Sequence, residues 1–152
     1  MVWVPTFAPF QFQVDQPEHI GWSEQVCTNL QRIVDAHSRS LVKAQELGVR
    51  VVAGSDAGSH GVAHGWGFLR ELELMQIAGI SATQVLHTAT GAGRERMGYA
   101  ERFGALQAGY KSRFMLTTHD VLNDVFHLRR AKIMVFDGTI LSAGDDESQP
   151  GL

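Results

Sequence analysis

One segment constrains what this chain can fold into more than any other: residues 48–58, Gly-Val-Arg-Val-Val-Ala-Gly-Ser-Asp-Ala-Gly. A short run of β-branched residues between glycines is typical of a buried strand in a parallel sheet, and we predict one over residues 49–53. The strand delivers Asp56 into a glycine-flanked turn at its carboxyl end, where α/β folds place their chemistry. Asp56 is therefore a candidate functional residue. The alternative is an Asp that caps its own turn by accepting a backbone hydrogen bond.

The segments before this strand predict a strand–helix–strand unit. Residues 1–7 are apolar and β-prone, and residues 23–47 carry apolar side chains at steps of three and four. Ser23 is placed as the N-cap of that helix, and Gly48 as its stop. A long helical connection implies that the two strands pair in parallel with a right-handed crossover. A chain that begins within a strand also suggests that a further segment precedes it.

The connection between the first strand and the long helix has the composition of a loop. Residues 8–20 contain two prolines and several glutamines. A loop after a strand can line a site, here through Phe10, Phe12 and His19, and an ordinary surface loop is the alternative.

A glycine-rich segment with two histidines follows Asp56. Residues 59–65 read Ser-His-Gly-Val-Ala-His-Gly, which predicts a loop rather than a helix. The four-residue spacing of His60 and His64 therefore carries little information about metal ligation. Two interpretations remain open: a mobile loop that brings His64 and His60 to a substrate, or a flexible loop with incidental histidines.

The rest of the chain predicts helices followed by a small sheet. Helices are predicted at residues 66–78, 82–89 and 91–98, and Ser81 with Gln84 fits a capping box before the second of them. Strands are predicted at residues 113–117, 132–136 and 139–141. Asp137-Gly138 between the last two is a strong signal for a hairpin turn.

Composition excludes several classes of protein. With 152 residues, of which 44% are hydrophobic, the chain has enough apolar surface for one domain with a modest core. A net charge of −3 gives no footprint for nucleic acid, and no segment approaches the length of a transmembrane helix. We therefore expect neither a nucleic-acid nor a membrane partner. The single cysteine, Cys27, excludes an intrachain disulfide, and we expect a cytoplasmic location.

The order of these segments resembles the C-terminal part of the metal-dependent amidohydrolase superfamily, in its imidazolonepropionase-like and prolidase-like branch. Residues 4–6 are similar to the seventh barrel strand of that family, and residues 48–58 to the eighth, which ends in an aspartate. The later similarities are His64-Gly65 with Glu71-Leu72, the helix at residues 82–90, the turn at residues 103–109 and the final strand and turn at residues 135–138. Together they cover residues 2 to about 143.

The resemblance implies an α/β fold: the C-terminal part of a TIM-barrel-like (β/α)8 amidohydrolase together with part of a small β-sandwich. Residues 1–102 would carry the last two barrel strands and their helices. Residues 103–143 would form part of the sandwich, and residues 144–152 a frayed tail.

The resemblance also implies a function, the hydrolysis of a C–N bond (amide, lactam or dipeptide) in a small substrate. The family holds one or two divalent metals, with zinc the expected ion, and activates a metal-bound water. Asp56 takes the role of metal ligand and of the base that accepts the proton of that water. His64 and His60 are the candidate substrate contacts.

The resemblance is incomplete where the metal ligands should be. The His-x-His of the first strand, the bridging lysine and the histidines of the middle strands have no counterpart in this sequence. A barrel needs about 250 residues, and 55 precede Asp56. One carboxylate cannot hold a catalytic zinc, which takes about three protein ligands. We therefore expect the isolated chain to be inactive.

The missing parts leave three hypotheses for the partners and the role of the chain. In the first, another polypeptide supplies the N-terminal barrel portion of an enzyme that acts on a small-molecule substrate. In the second, the chain is a non-catalytic remnant that associates with itself to cover its strand edges. In the third, the chain is a small-molecule binding α/β module that uses the loop at residues 59–65.

Overall fold

A pair of short parallel strands begins the fold. The computed structural model describes residues 2–97 and 101–142. In it, β1 (Val2–Trp3) pairs in parallel with β2 (Arg50–Val51), and the N–H of Val52 extends the pairing by donating to the carbonyl of Trp3 at 3.0 Å. The parallel order confirms the strand–helix–strand unit.

The second strand is shorter than the predicted residues 49–53. The N–H of Ala53 donates to the carbonyl of Thr88, at the end of a helix, at 3.1 Å. Because the amide of Ala53 bonds this helix and not a strand, the strand ends at Val51 and the segment reaches Asp56 outside any strand.

Helices make up most of the first hundred residues. They are α1 (Ala8–Asp15), α2 (Pro17–Ile20), α3 (Glu24–Glu46), α4 (Trp66–Ile77), α5 (Ala82–Ala89) and α6 (Gly91–Met97). Three begin or end as predicted: Ser23 caps α3 by accepting from the N–H of Val26 at 3.4 Å, α4 begins at Trp66, and Ser81 with Gln84 forms the capping box of α5.

The prediction of a loop at residues 8–20 is wrong, because this segment forms α1 and α2. Its prolines lie in the first turns of the two helices, where a missing N–H costs nothing because that group has no intrahelical partner. The segment therefore positions Phe12 and Asp15 on a rigid helix, and its side chains do not belong to a loop.

A core around α4 joins the elements. The most deeply buried apolar side chains come from the β1–α1 turn, α3, α4, α5 and the 3-10 segment Val125–Arg130, and include Phe7, Leu41, Leu72, Met75, Val85 and Val125. The predicted apolar face of α3 is only partly covered, since Val34 and Leu41 are buried while Ile33 is 51% exposed.

The chain ends in an antiparallel sheet of order β3–β4–β5, formed by β3 (Arg113–Thr117), β4 (Ala131–Phe136) and β5 (Thr139–Ser142). Asp137 and Gly138 both have positive φ, at 50° and 85°, as the predicted two-residue hairpin turn requires. The described chain is thus α/β with two small sheets.

Two sequence-based expectations lie at the limits of the structure. The tail predicted to fray, residues 144–152, is outside the described residues. Within the described ranges, no helix is both long enough and apolar enough to cross a membrane.

Candidate functional site

Asp56 lies five residues beyond the end of β2, and not directly after a strand as the prediction for residues 49–53 implied. Its side chain is exposed, and its backbone adopts a left-handed conformation with φ of 53°. Such a conformation costs about 1–2 kcal/mol for residues other than glycine, and less where a short polar side chain bonds locally. Strain of this kind clusters at functional sites.

The carboxylate of Asp56 is held by the turn that follows it. The hydroxyl of Ser59 donates to Oδ2 of Asp56 at 2.5 Å, and the N–H of Ser59 donates to the Asp56 carbonyl at 3.0 Å. Oδ1 accepts no hydrogen bond from the described part of the chain. The turn therefore orients one carboxylate oxygen and leaves the other for a ligand.

The segment at residues 59–65 is a loop, as predicted, but it is anchored at its centre. The side chain of Val62 is buried, and its N–H donates to the Ser59 carbonyl at 3.0 Å. Gly61 lies against α1 so closely that a Cβ there would come within 2.2 Å of the Phe12 ring. Only glycine fits this contact, and Gly61 also has a positive φ of 74°.

The two loop histidines lie in different places. The Nε2 atom of His64 is 4.0 Å from the position that a Cβ on Gly58 would occupy, so this ring folds over the turn that carries Asp56. The ring of His60 contacts Phe12 of α1 edge-on, with 5.6 Å between centroids. The structure thus places His64 beside Gly58 in the turn that follows Asp56, and His60 against α1.

These residues do not form a metal site by themselves. Across residues 2–97 and 101–142, no group of three or more His, Cys, Asp or Glu side chains is placed to hold one ion. A catalytic zinc takes about three protein ligands and an open position. The donor set of this chain therefore does not fit a complete catalytic metal centre.

Sequence reasoning did not single out Glu71 as a buried acid. The N–H of Ala8 donates to its Oε2 at 2.8 Å, and the backbone of Thr6 and Phe7 also bonds the carboxylate. Oε1 is buried and has no partner among the described residues. Burial raises the pKa of Glu71 to about 7, against the opposing effect of these backbone bonds. The carboxyl group of Glu71 thus caps the amino end of α1.

Glu73, two residues on, is a second buried acid, and it pairs with arginines. Its carboxylate accepts hydrogen bonds from both Nε and Nη2 of Arg129, the latter at 2.8 Å. Nη1 of Arg70 lies 3.6 Å from the same carboxylate. The hydrogen bond to Glu73 raises the pKa of Arg129. A sequence signal for both acids exists: they lie within the apolar run Glu-Leu-Glu-Leu-Met of α4, where an unpaired charge is costly.

A cavity of about 400 Å³ lies between α1, the loop and α4. Its walls include Phe12, Asp15, Val62, Trp66, Arg70 and Arg129. Asp56, His60 and His64 are not among its lining residues. The cavity and the Asp56 turn are therefore two separate features of the same loop.

Comparisons with known proteins find structural neighbours but no sequence relatives. No protein-family model matches the chain, and no curated protein matches it. Solved structures that match nearly all of the chain include a Xaa-Pro dipeptidase with methionine bound in its active site, with a TM-score of 0.74 and 22% identity over 94% of this chain. An amidohydrolase matches 95% of this chain with a TM-score of 0.73 and 17% identity. The A. niger ochratoxinase matches 99% of this chain with a TM-score of 0.75 and 19% identity.

In each of the three, the match covers 35% of the other chain. This chain thus spans about a third of the length of the structures it matches. Identities of 17–22% establish the fold. The chain has the fold of one portion of these solved structures.

Proposed function

We propose that this chain is the part of a metal-dependent amidohydrolase that contributes the aspartate of the eighth barrel strand, and that it acts on a C–N bond of a small substrate when a partner supplies the rest of the barrel. The observation that carries this proposal is the placement of Asp56. A carboxylate lies in a turn five residues beyond the end of a parallel strand, on a backbone with positive φ, in a fold shared with an amidohydrolase and a dipeptidase.

The proposal divides the chain as the resemblance does. Residues 1–102 are the barrel portion with its last two strands, and residues 103–143 are part of the small sandwich. The exposed apolar side chains Met115, Met134 and Leu141, which the strand register places side by side on one face of the terminal sheet, support the second assignment. A sandwich buries such a face against a second sheet.

The need for a partner follows from the sheet and from the donor set. Within the described ranges, β1 and β2 pair only with each other, and an isolated two-stranded sheet is marginal in water. Val2 and Val4 beside this sheet are exposed. A partner that adds strands at these edges also brings the metal ligands that this chain does not hold, and self-association is the other means of covering the edges.

Within such an assembly, the residues of this chain have defined roles. The divalent ion, zinc by expectation, would polarise the scissile carbonyl and acidify a water. Asp56 would contribute one ligand to that ion, and its carboxylate oxygen that Ser59 does not engage would accept a proton. His64, which folds over the same turn, is the proposed substrate contact. His60 is the second candidate, although its ring rests on Phe12.

The test is the activity of the assembly rather than of the isolated chain. Tagged chain is recovered from its source cells with what it binds, and is assayed with zinc on Xaa-Pro dipeptides and N-acyl amino acids. We expect hydrolysis, and a loss of about 10²–10⁴-fold for Asp56→Asn, the usual contribution of a general base. Asp35→Asn is the control, since Asp35 is exposed on α3 and bonds only Gln31. Equal rates for Asp56→Asn and Asp35→Asn, or no hydrolysis at all, would refute the proposal.

A further inference from the structure

The cavity between α1 and α4 has the size and lining of a ligand site. Its volume of about 400 Å³ lies within the range of small-molecule pockets, roughly 300–1,000 Å³. Phe12 of α1 and Trp66 of α4 supply aromatic surface, and the buried Val62 of the loop adds to it. Because Gly61 has no side chain, the Phe12 ring packs directly against the loop, and this packing holds that wall of the cavity in place.

The two arginines that line the cavity are balanced by one buried acid, Glu73, and by one exposed acid at the rim, Asp15. Two guanidinium groups, those of Arg70 and Arg129, share one buried carboxylate, that of Glu73, whose side chain is 1% exposed. Arg129 takes both oxygens of Glu73 and lies over the Trp66 ring at 5.0 Å. Arg70 is the less engaged of the two, at 3.6 Å from Glu73. Without Asp15, these three side chains carry one net positive charge, and it lies on Arg70, whose side chain is 37% exposed.

Asp15 at the rim balances that charge only weakly. Its Oδ2 accepts from Nη2 of Arg70 at 3.2 Å, and the two side chains are 42% and 37% exposed. An ion pair exposed to this degree contributes about 0–1 kcal/mol. A ligand carboxylate can therefore replace Asp15 on Arg70 at little cost, because arginine offers a planar pair of donors that matches a carboxylate.

We propose that this cavity is a binding site for a small carboxylate with an apolar body. The carboxylate binds Arg70 in place of Asp15, and the apolar body lies between Phe12 and Trp66. Arg129 stays with Glu73 and holds the Trp66 ring in place. The site extends beyond the proposed hydrolase function, since Asp56, His60 and His64 do not line the cavity.

The test compares a probe with its neutral counterpart on the full chain. Calorimetric titration measures binding of 3-phenylpropionate and of 3-phenylpropanamide, and the indole signal of Trp66 in NMR spectra reports the location. We expect the acid to bind at least about tenfold more tightly than the amide, corresponding to about 1.4 kcal/mol. Equal affinities, or no saturable binding of the acid at millimolar concentration, would overturn the proposal.

Two variants with opposite expected effects sharpen the test. Arg70→Gln should weaken binding of the acid about tenfold, because it removes the charge-assisted pair. Asp15→Asn should tighten it about two- to fivefold, because it removes the competing carboxylate while retaining the oxygen that accepts from Gln11. A gain of affinity cannot arise from misfolding. Asp35→Asn should bind like the wild type, and an unchanged or weakened affinity for Asp15→Asn would refute the assigned role of Arg70.

Discussion

At the scale of single residues, the buried carboxyl of Glu71 is the group most sensitive to pH. One of its oxygens accepts from the N–H of Ala8, and the other is buried with no partner among the described residues. Burial without full pairing favours the protonated form. The folded protein therefore holds the proton of Glu71 at pH values where the unfolded chain has released it.

This difference in protonation predicts a direction for stability. The pKa of Glu71 rises from its ordinary value of 4.5 to about 7 on folding, so the favourable contribution is complete below pH 4.5 and is lost as the pH rises through 7. The loss amounts to about 3 kcal/mol at most, at 1.36 kcal/mol per pKa unit. We expect Glu71→Gln to remove this part of the pH dependence and to be the more stable protein at pH 8.

Urea unfolding of both proteins at pH 5, 6, 7 and 8 measures this effect. The difference between the two curves isolates Glu71 from the other titrating groups. If the unfolding free energies of Glu71→Gln and wild type run parallel over this range, then Glu71 is not the group that the structure indicates.

At the scale of elements, the contact between α1 and the loop depends on a glycine. A methyl group at Gly61 would meet both an unfavourable φ of 74° and the Phe12 ring at 2.2 Å. Gly21 has a similar φ of 71° and is left-handed, but a Cβ there would meet nothing within 4 Å. The pair therefore separates the cost of backbone strain from the cost of overpacking.

We expect Gly21→Ala to lose about 1–2 kcal/mol of unfolding free energy from strain alone. Gly61→Ala should lose a further 1–3 kcal/mol or so, because the Phe12 ring must move. Thermal unfolding of the two variants checks the difference. Equal losses would mean that the Phe12 contact does not anchor the loop.

The link between α4 and the 3-10 segment rests on a buried ion pair. Removing Arg129 leaves the carboxylate of Glu73, which is 1% exposed, without its main partner. We expect Arg129→Met to cost about 3–5 kcal/mol, the usual effect of breaking a buried pair from one side. The exposed pair Lys43–Glu46, at 65% and 59% exposure, is the control, and Lys43→Met should change stability by about 0.5 kcal/mol or less.

A double variant, Glu73→Gln with Arg129→Met, tests the coupling between these two side chains, with urea unfolding as the measurement for all the variants. It should be more stable than Arg129→Met alone, because no unpaired charge is then buried. Costs that simply add would show that the two side chains do not depend on each other.

The same elements show how far sequence reasoning reaches. The caps at Ser23 and Ser81 and the hairpin at Asp137 were predicted because their signals are local, within three residues of the structure they produce. The helices at residues 8–20 were missed because prolines, read as breakers, lie in their first turns. A local composition cannot tell a helix start from a loop without the partners that stabilise it.

The candidate site divides in the same way. The turn that carries Asp56 was predictable because its glycines are local signals, whereas the strand before it ends two residues earlier than predicted. The buried partners of α4 were not, since Glu71 bonds Ala8, 63 residues away, and Glu73 bonds Arg129, 56 residues away. A single sequence carries no signal for contacts between residues so far apart along the chain. The cavity, which depends on three such elements, was likewise beyond prediction.

At the scale of the whole molecule, the described chain has a core but unfinished sheets. The parallel pair β1–β2 has two unpaired edges within the described ranges, and the terminal sheet exposes apolar side chains such as Ile140. Such edges and patches are usually covered by pairing or association. These unpaired edges and exposed side chains are consistent with a match that covers only 35% of the length of the similar structures. These edges and side chains are what the proposed assembly would cover.

The zinc content of that assembly tests the central claim most directly. The assembly is recovered with wild-type chain, with Asp56→Asn and with the control Asp35→Asn, and its zinc is quantified by mass spectrometry after dialysis. We predict stoichiometric zinc with wild type and Asp35→Asn, and at least a tenfold lower zinc affinity with Asp56→Asn. Retention of zinc at the wild-type level by the Asp56→Asn assembly would contradict the role of Asp56 as a metal ligand.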